Sequence, residues 1–265
     1  MKTKALNNNT RIYSLIIFIY FCFASQSYLV AQNYYIPSHE DSLALEEVIV
    51  EKYYISNPND SLDKTLPVGS VTYRVFIKMK PGYKLQMVYG DSKHELSIKT
   101  STYFYNDSIC GAETAFQVDA KKIHIGNVAL DSWITLAAAN RIHVGIQKSE
   151  DTGGGFVANR ESLFKNDGFA NGTMPNFQVF NIDLKAFGFN NKDSIFSSNN
   201  SAWAALGGVQ GSTDSNCVLI AQLTTNGYLS FELNIQIGTP TGGFVKFVAK
   251  NPSNSEIQFN GLKIN

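Results

Sequence analysis

Four histidines, two tryptophans and a few acidic positions are the side chains of this 265-residue chain whose types invite chemistry. His39, His94, His124 and His143 are the histidines. His124 (Ile123-His124-Ile125) and His143 (Ile142-His143-Val144) each stand between β-branched residues and so project from the polar side of a strand. If those strands were neighbours, the pair would bind a metal or relay protons. No third ligand has a fixed spacing, and a solvated strand histidine is the plainer reading. Glu150 and Asp151, beside Gly153-Gly154-Gly155, together with Asp167, offer the carboxylates and carbonyls that calcium takes. They lack EF-hand or repeat spacing, so a solvated acidic loop competes with the calcium site. Trp133 and Trp203 are flat apolar faces on which a sugar ring could stack. Trp133 sits in the apolar run 130–136 and reads as core. Trp203 lies between polar stretches and is the better platform.

Four triplets share a further pattern: Asp41-Ser42-Leu43, Asp60-Ser61-Leu62, Asp107-Ser108-Ile109 and Asp193-Ser194-Ile195. They resemble the Asp-Ser/Thr-aliphatic acceptor of a bacterial general O-glycosylation system, which makes Ser42, Ser61, Ser108 and Ser194 candidate acceptors. Asp-Ser is equally ordinary turn and cap chemistry. The chain has no Gly-x-Ser-x-Gly elbow and no phosphate-binding glycine loop. A carboxylate pair for glycoside hydrolysis is defined by spatial separation, so sequence neither offers nor excludes it.

The amino terminus supplies an address. Lys2, Lys4 and Arg11 precede the apolar run Ile12–Ala24, and Leu29-Val30-Ala31 places a small residue just before Gln32. That is the anatomy of a cleaved export signal over residues 1–31, and the apolar run is short for a membrane span. Removing those three cations from 22 leaves 19 basic against 22 acidic residues. Bulk charge therefore gives no drive toward nucleic acid or anionic membranes. Cys22 leaves with the signal, and Cys110 and Cys217 remain, an even number in an exported chain. They are either bridged or two buried thiols.

The elements that must position these residues read as strands. Residues 32–45 lack periodicity and are expected to be a flexible tether. Val48, Val50 and Tyr53-Tyr54-Ile55 suggest the first strand. Val71, Tyr73, Val75, Ile77 and Met79 alternate with Thr72, Arg74 and Lys78, Phe76 being the exception. Pro81-Gly82 predicts a type II turn, and Leu85, Met87 and Tyr89 a return strand. Short strands are expected at 122–125, 128–136 and 141–146. Residues 149–176, 190–202 and 207–216 read as loops, with a strand at 177–184. Asn226-Gly227 predicts a type I′ hairpin pairing Ile220 with Leu233 and Val218 with Ile235. Phe244–Val248 and Ile257–Ile264 close the domain, with a phase slip at Gly261 that reads as a bulge. Many short strands, abundant aromatics and no amphipathic helix indicate an all-β fold: an antiparallel, jelly-roll-like β-sandwich forming a single domain over 46–265.

Leu66–Val75, Pro81–Gly90, His94-Glu95-Leu96, Leu130–Thr135, Val218–Gly227 and Val245–Leu262 are together similar to an uncharacterised β-rich module of exported bacterial proteins. The resemblance covers most of the mature chain but brings no activity or binding residue to transfer. Such modules often precede a sorting domain for type IX secretion. This chain ends at Asn265, after the expected last strand, so no sorting domain is expected here. The function expected is therefore an exported, non-catalytic binding or surface-structural module. It would be extracellular, at the cell surface or periplasmic, with a polysaccharide or another surface protein as partner. A carbohydrate-active hydrolase using loop carboxylates is the alternative.

Overall fold

The computed structural model describes residues 36–61, 65–123, 125–150, 169–170 and 174–265. The expected signal peptide lies outside them, as do His124, Asp151, Asp167 and most of the loop expected at 149–176. Among the described residues no helix is long and apolar enough to cross a membrane. Their helical turns are 3₁₀ turns of three or four residues, and the architecture is all-β.

Three sheets carry the fold. The first consists of β1 (Leu45–Ile55), β2 (Val71–Met79), β5 (Trp133–Ile134) and β11 (Cys217–Thr225), in the order β1-β2-β11-β5. The second consists of β3 (Lys84–Gly90), β8 (Phe177–Phe180), β10 (Ser201–Val209), β13 (Asn234–Gly238), β14 (Phe244–Val248) and β15 (Glu256–Gln258), in the order β15-β14-β13-β3-β10-β8. The third consists of β4 (Leu96–Thr100), β9 (Ile195–Ser198), β12 (Leu229–Glu232) and β16 (Lys263–Ile264), in the order β16-β12-β4-β9. A short pair, β6 (Val144–Gly145) with β7 (Phe169–Ala170), stands apart. Pairing is antiparallel except between β14 and β15. Val75, Ile77, Val218 and Ile220 of the first sheet share one core with Leu85, Val88, Trp203, Ile235 and Phe247 of the second and Ile98, Phe196 and Phe231 of the third. This is a sandwich, and its core lies where sequence alternation places the apolar face.

The other face of the first sheet is also covered. Phe76, Leu219 and Cys217 pack there with Ala115, Val118, Val128 and Trp133, while Tyr53 and Tyr54 pack with Leu66, Tyr105 and Leu130. Every residue of β11 is buried. The polar members of this second face are therefore paired. Gln222 donates through Nε2 to the carbonyls of Ala129 (3.0 Å) and Asp131 (2.8 Å) and accepts from Arg74 Nε (3.0 Å). The buried Arg74 guanidinium also lies 3.6 Å from the Tyr53 ring centroid. Asp131, fully enclosed, accepts backbone N–H groups of Asp107 (2.7 Å) and Ala112 (2.6 Å) and so ties the covering segment together. Burial pushes its carboxyl well up, against the pull of those two N–H groups.

Several expectations are corrected by this packing. Ile220 does not pair with Leu233, because β11 is flanked by β2 and β5 while β12 lies between β4 and β16. Asn226-Gly227 instead carries the chain from one sheet to another, and neither residue has positive φ. Gly227 is needed for a different reason: a Cβ there would sit 2.6 Å from Thr100 Oγ1 and 2.7 Å from Ser101 Oγ. Pro81-Gly82 does form the expected turn, with Gly82 at φ 86° and Tyr83 N–H donating to Lys80 O (3.3 Å). It too joins two sheets. Of the strands expected within 122–146, the described residues form Trp133–Ile134 and Val144–Gly145 and are otherwise largely turns. Residues 190–202, expected as a loop, contribute β9 and the start of β10. The slip at Gly261 marks a 3₁₀ turn through which the chain leaves β15 for β16 in another sheet. The end of the expected tether is ordered: Asp41 is buried and accepts from Tyr83 OH (3.0 Å) and Ser38 Oγ (2.7 Å).

Candidate functional site

Two features on the outward side of the six-stranded sheet gather polar chemistry. The first is a groove along β3, β8 and β10. Alternation turns Trp203 and Ala205 into the core and leaves Ala202, Ala204 and Leu206 facing out. Register sets Gln178 and Met87 opposite Ala204, and Phe180 opposite Ala202. A bulge in β3 at Gln86 lets that residue's amide join the same face, where Gln236 Nε2 donates to Gln86 Oε1 (2.8 Å). The result is a groove of about 270 Å³ lined by Gln86, Met87, Gln178, Phe180 and 204–207. Phe180 is 48% exposed and Leu206 80%.

The second feature is a titratable cluster at the far end of the same sheet. β3 ends at Gly90, where a Cβ would lie 2.2 Å from Ser198 O, so only glycine admits the close approach of the β9 end. A tight turn follows: Asp91 N–H donates to His94 O (2.9 Å), and Asp91 Oδ1 accepts from the N–H groups of Lys93 (2.8 Å) and His94 (3.0 Å). Buried Asn234 holds the turn by donating to the carbonyls of Tyr89 (3.2 Å) and Glu95 (3.2 Å). From the opposite edge, parallel pairing sets Glu256 beside Lys246, and Ser253 N–H donates to Glu256 Oε2 (2.8 Å). His94, 2% exposed, lies between the two acids, with Nδ1 3.3 Å from Asp91 Oδ1 and Nε2 3.5 Å from Glu256 Oε2. Nε2 is also 3.2 Å from Asn251 O. Tyr89 is buried next to them, with Lys246 Nζ 5.0 Å from its ring centroid. Burial, then the charges of Glu256 and Asp91, push the Tyr89 phenol far above its ordinary range. Burial would raise the Asp91 carboxyl, but the Lys93 and His94 N–H groups, with His94 and Lys246 nearby, hold it below the usual carboxylate value. A polar cavity of about 450 Å³ opens beside Asp91, lined also by Lys93, Glu95, Ser197, Asn199 and Lys250.

The residues singled out from sequence fall elsewhere. Trp203 is fully buried, and it packs against Phe196 with ring centroids 6.2 Å apart, so it is a core residue and no stacking platform. Trp133 is buried as expected of core and is equally closed to a ligand. Glu150 accepts from Thr213 Oγ1 (2.8 Å); its two expected calcium partners, Asp151 and Asp167, lie outside the described residues. Cys110 and Cys217 are both free thiols, at one apolar cluster where Cys217 is buried and Cys110 is partly covered. His143 is partly buried beside Asn140, and its expected partner His124 is outside the described residues. In three of the four Asp-Ser triplets the acid is buried and caps its own turn: Asp41 as above, Asp60 accepting from Asn57 N–H (2.8 Å) and Asp107 from Cys110 N–H (2.7 Å). Ser42 Oγ donates to His39 O, Ser108 and Ser194 are half-buried, and the side chain of Ser61 lies outside the description. The Asp91-x-x-His94 spacing was legible in the sequence; its union with Glu256 was not, because it depends on the parallel β14–β15 pair.

Comparison with protein-family models, curated proteins and solved structures finds no match for this chain.

Proposed function

We propose that this chain is an exported, non-catalytic β-sandwich that binds a neutral polysaccharide along the outward face of its six-stranded sheet. The observation that carries the reading is the groove between β3, β8 and β10. It combines two neutral amides, Gln86 and Gln178, the first held by Gln236, with an exposed aromatic face, Phe180, and an apolar floor of Met87 and Ala204. Amides that both donate and accept match sugar hydroxyls, and apolar surface matches the C–H faces of a pyranose ring. Among the described residues lining the groove there is no carboxylate, which supports binding without hydrolysis. The signal-like amino terminus and the resemblance to an exported module support the location.

Affinity electrophoresis through gels containing soluble neutral glucans, xylans or mannans tests this. The protein should be retarded by at least one polymer. Phe180→Ala and Gln178→Ala should run unretarded while keeping the native circular dichroism spectrum. Free migration through the whole panel, or unchanged retardation of both variants, would end the proposal.

A further inference from the structure

We propose that Asp91, His94 and Glu256 bind one divalent transition-metal ion of the zinc class, at a site separate from the groove. One donor atom from each of the three residues lies within 4.8 Å of the other two. Bonds of about 2.1 Å in a tetrahedral site put neighbouring ligand atoms about 3.4 Å apart. His94 Nδ1 and Asp91 Oδ1 are 3.3 Å apart. The other ring nitrogen, Nε2, faces the Asn251 carbonyl at 3.2 Å and Glu256 Oε2 at 3.5 Å, so a Glu256 oxygen must turn toward Nδ1 for the three residues to share one ion. The carbonyl contact is the outer contact that orients a ligating histidine: Nε2–H is donated to a carbonyl, and Nδ1 keeps its lone pair for the metal.

Without an occupant this arrangement is unfavourable. Nδ1 is buried and makes no hydrogen bond, and its lone pair faces a carboxylate oxygen. A proton on Nδ1 would relieve that contact alone. It would leave a second orphan, the Tyr89 hydroxyl, which is buried without a partner. A three-ligand metal retains a water. That water is the kind of partner the phenol lacks. Calcium fits poorly, because it takes six to eight oxygens and these side chains offer one nitrogen and two carboxylates. Two carboxylates against one neutral imidazole supply the negative charge a divalent cation needs. The ion would also fasten the 91–94 turn to the 251–256 segment.

The test uses the full chain, stripped with a chelator and dialysed. Calorimetric titration with ZnCl₂ should show one ion bound per chain, and Co²⁺ should give a visible d–d band typical of four or five ligands. The melting temperature should rise with added metal, because only the folded state holds the ligands together. Asp91→Asn and Glu256→Gln preserve shape, and each should weaken binding at least about tenfold. His94→Asn should abolish the Co²⁺ band. Absence of stoichiometric uptake by the native protein would overturn the proposal. So would native affinity in both isosteric variants, since the ion would then lie elsewhere.

Discussion

Trp203 should behave as the keystone of a core and not as a ligand platform, and two substitutions separate these roles. Its indole is fully buried among Phe196 and the apolar residues of all three sheets. Its Nε1–H has no hydrogen-bond partner. Replacement by alanine removes the largest side chain of the core, and buried aromatic-to-alanine changes cost about 3–5 kcal/mol. Phenylalanine leaves a smaller void, roughly 40 Å³ at about 24 cal/mol per Å³, or about 1 kcal/mol. The same change deletes a buried unpaired donor whose desolvation costs about 1–3 kcal/mol. The two effects offset, so Trp203→Phe should lie within about 1 kcal/mol of the native protein while Trp203→Ala falls at least about 3 below it. Urea unfolding followed by circular dichroism measures both. Because Trp133 is also buried, native emission should be blue-shifted and shielded from acrylamide. An alanine variant within 1 kcal/mol of native, or a phenylalanine variant as damaged as alanine, would refute the packing argument.

The other expectations are more local. Gly90→Ala forces a Cβ onto the Ser198 carbonyl, and Gly227→Ala forces one onto three hydroxyls, of which the hydroxyls alone can rotate away. Thermal melts should therefore show Gly90→Ala as the more destabilised, and the reverse order would contradict the strand packing at the end of β9. Glu232 lies between Lys250 (2.5 Å) and Lys263 (3.2 Å), and its hydrogen bond to Lys250 leads in holding its carboxyl below the ordinary value despite partial burial. A carboxyl whose pKa is lowered on folding stabilises above its unfolded pKa and loses that contribution as pH falls through the folded value. Glu232→Gln should therefore flatten the fall in melting temperature between about pH 5 and pH 3, and a slope equal to native would refute this linkage. Iodoacetamide on the native protein should label the half-buried Cys110 before the buried Cys217, whose thiol is also pushed up by burial. Equal labelling, or none without reductant, would contradict two free thiols of unequal access.

Strand texture, and much of the burial, was legible in the chain itself. Alternation in Val71–Met79 identifies the face that reaches the core, and Phe231, Leu233 and Ile235 are buried as their spacing indicates. Pro81-Gly82 specifies its turn, because proline presets φ at one position and glycine accepts positive φ at the next. These are properties of neighbouring residues, and neighbouring residues suffice to express them.

Choice of partner is different. Asn226-Gly227 carries the strongest hairpin signal in the chain, yet β11 gives both its edges to β2 and β5, and β12 joins another sheet. A tight turn lowers the cost of closing a local loop, whereas burying β11 on both faces secures more apolar contact than a hairpin would. The covering segment 104–147 explains why Arg74 and Gln222, polar in sequence, are interior residues: each is satisfied by a group from a distant part of the chain. Trp203 is interior for the same reason, since its polar neighbours in sequence reveal nothing of the sheet that closes over it. The Asp91–His94–Glu256 cluster likewise needs the turn after β3 and the parallel β14–β15 pair to meet at one end of a sheet. A sequence specifies which face of each strand seeks burial; which other strand provides it is decided by competition among all the edges and faces of the folded chain.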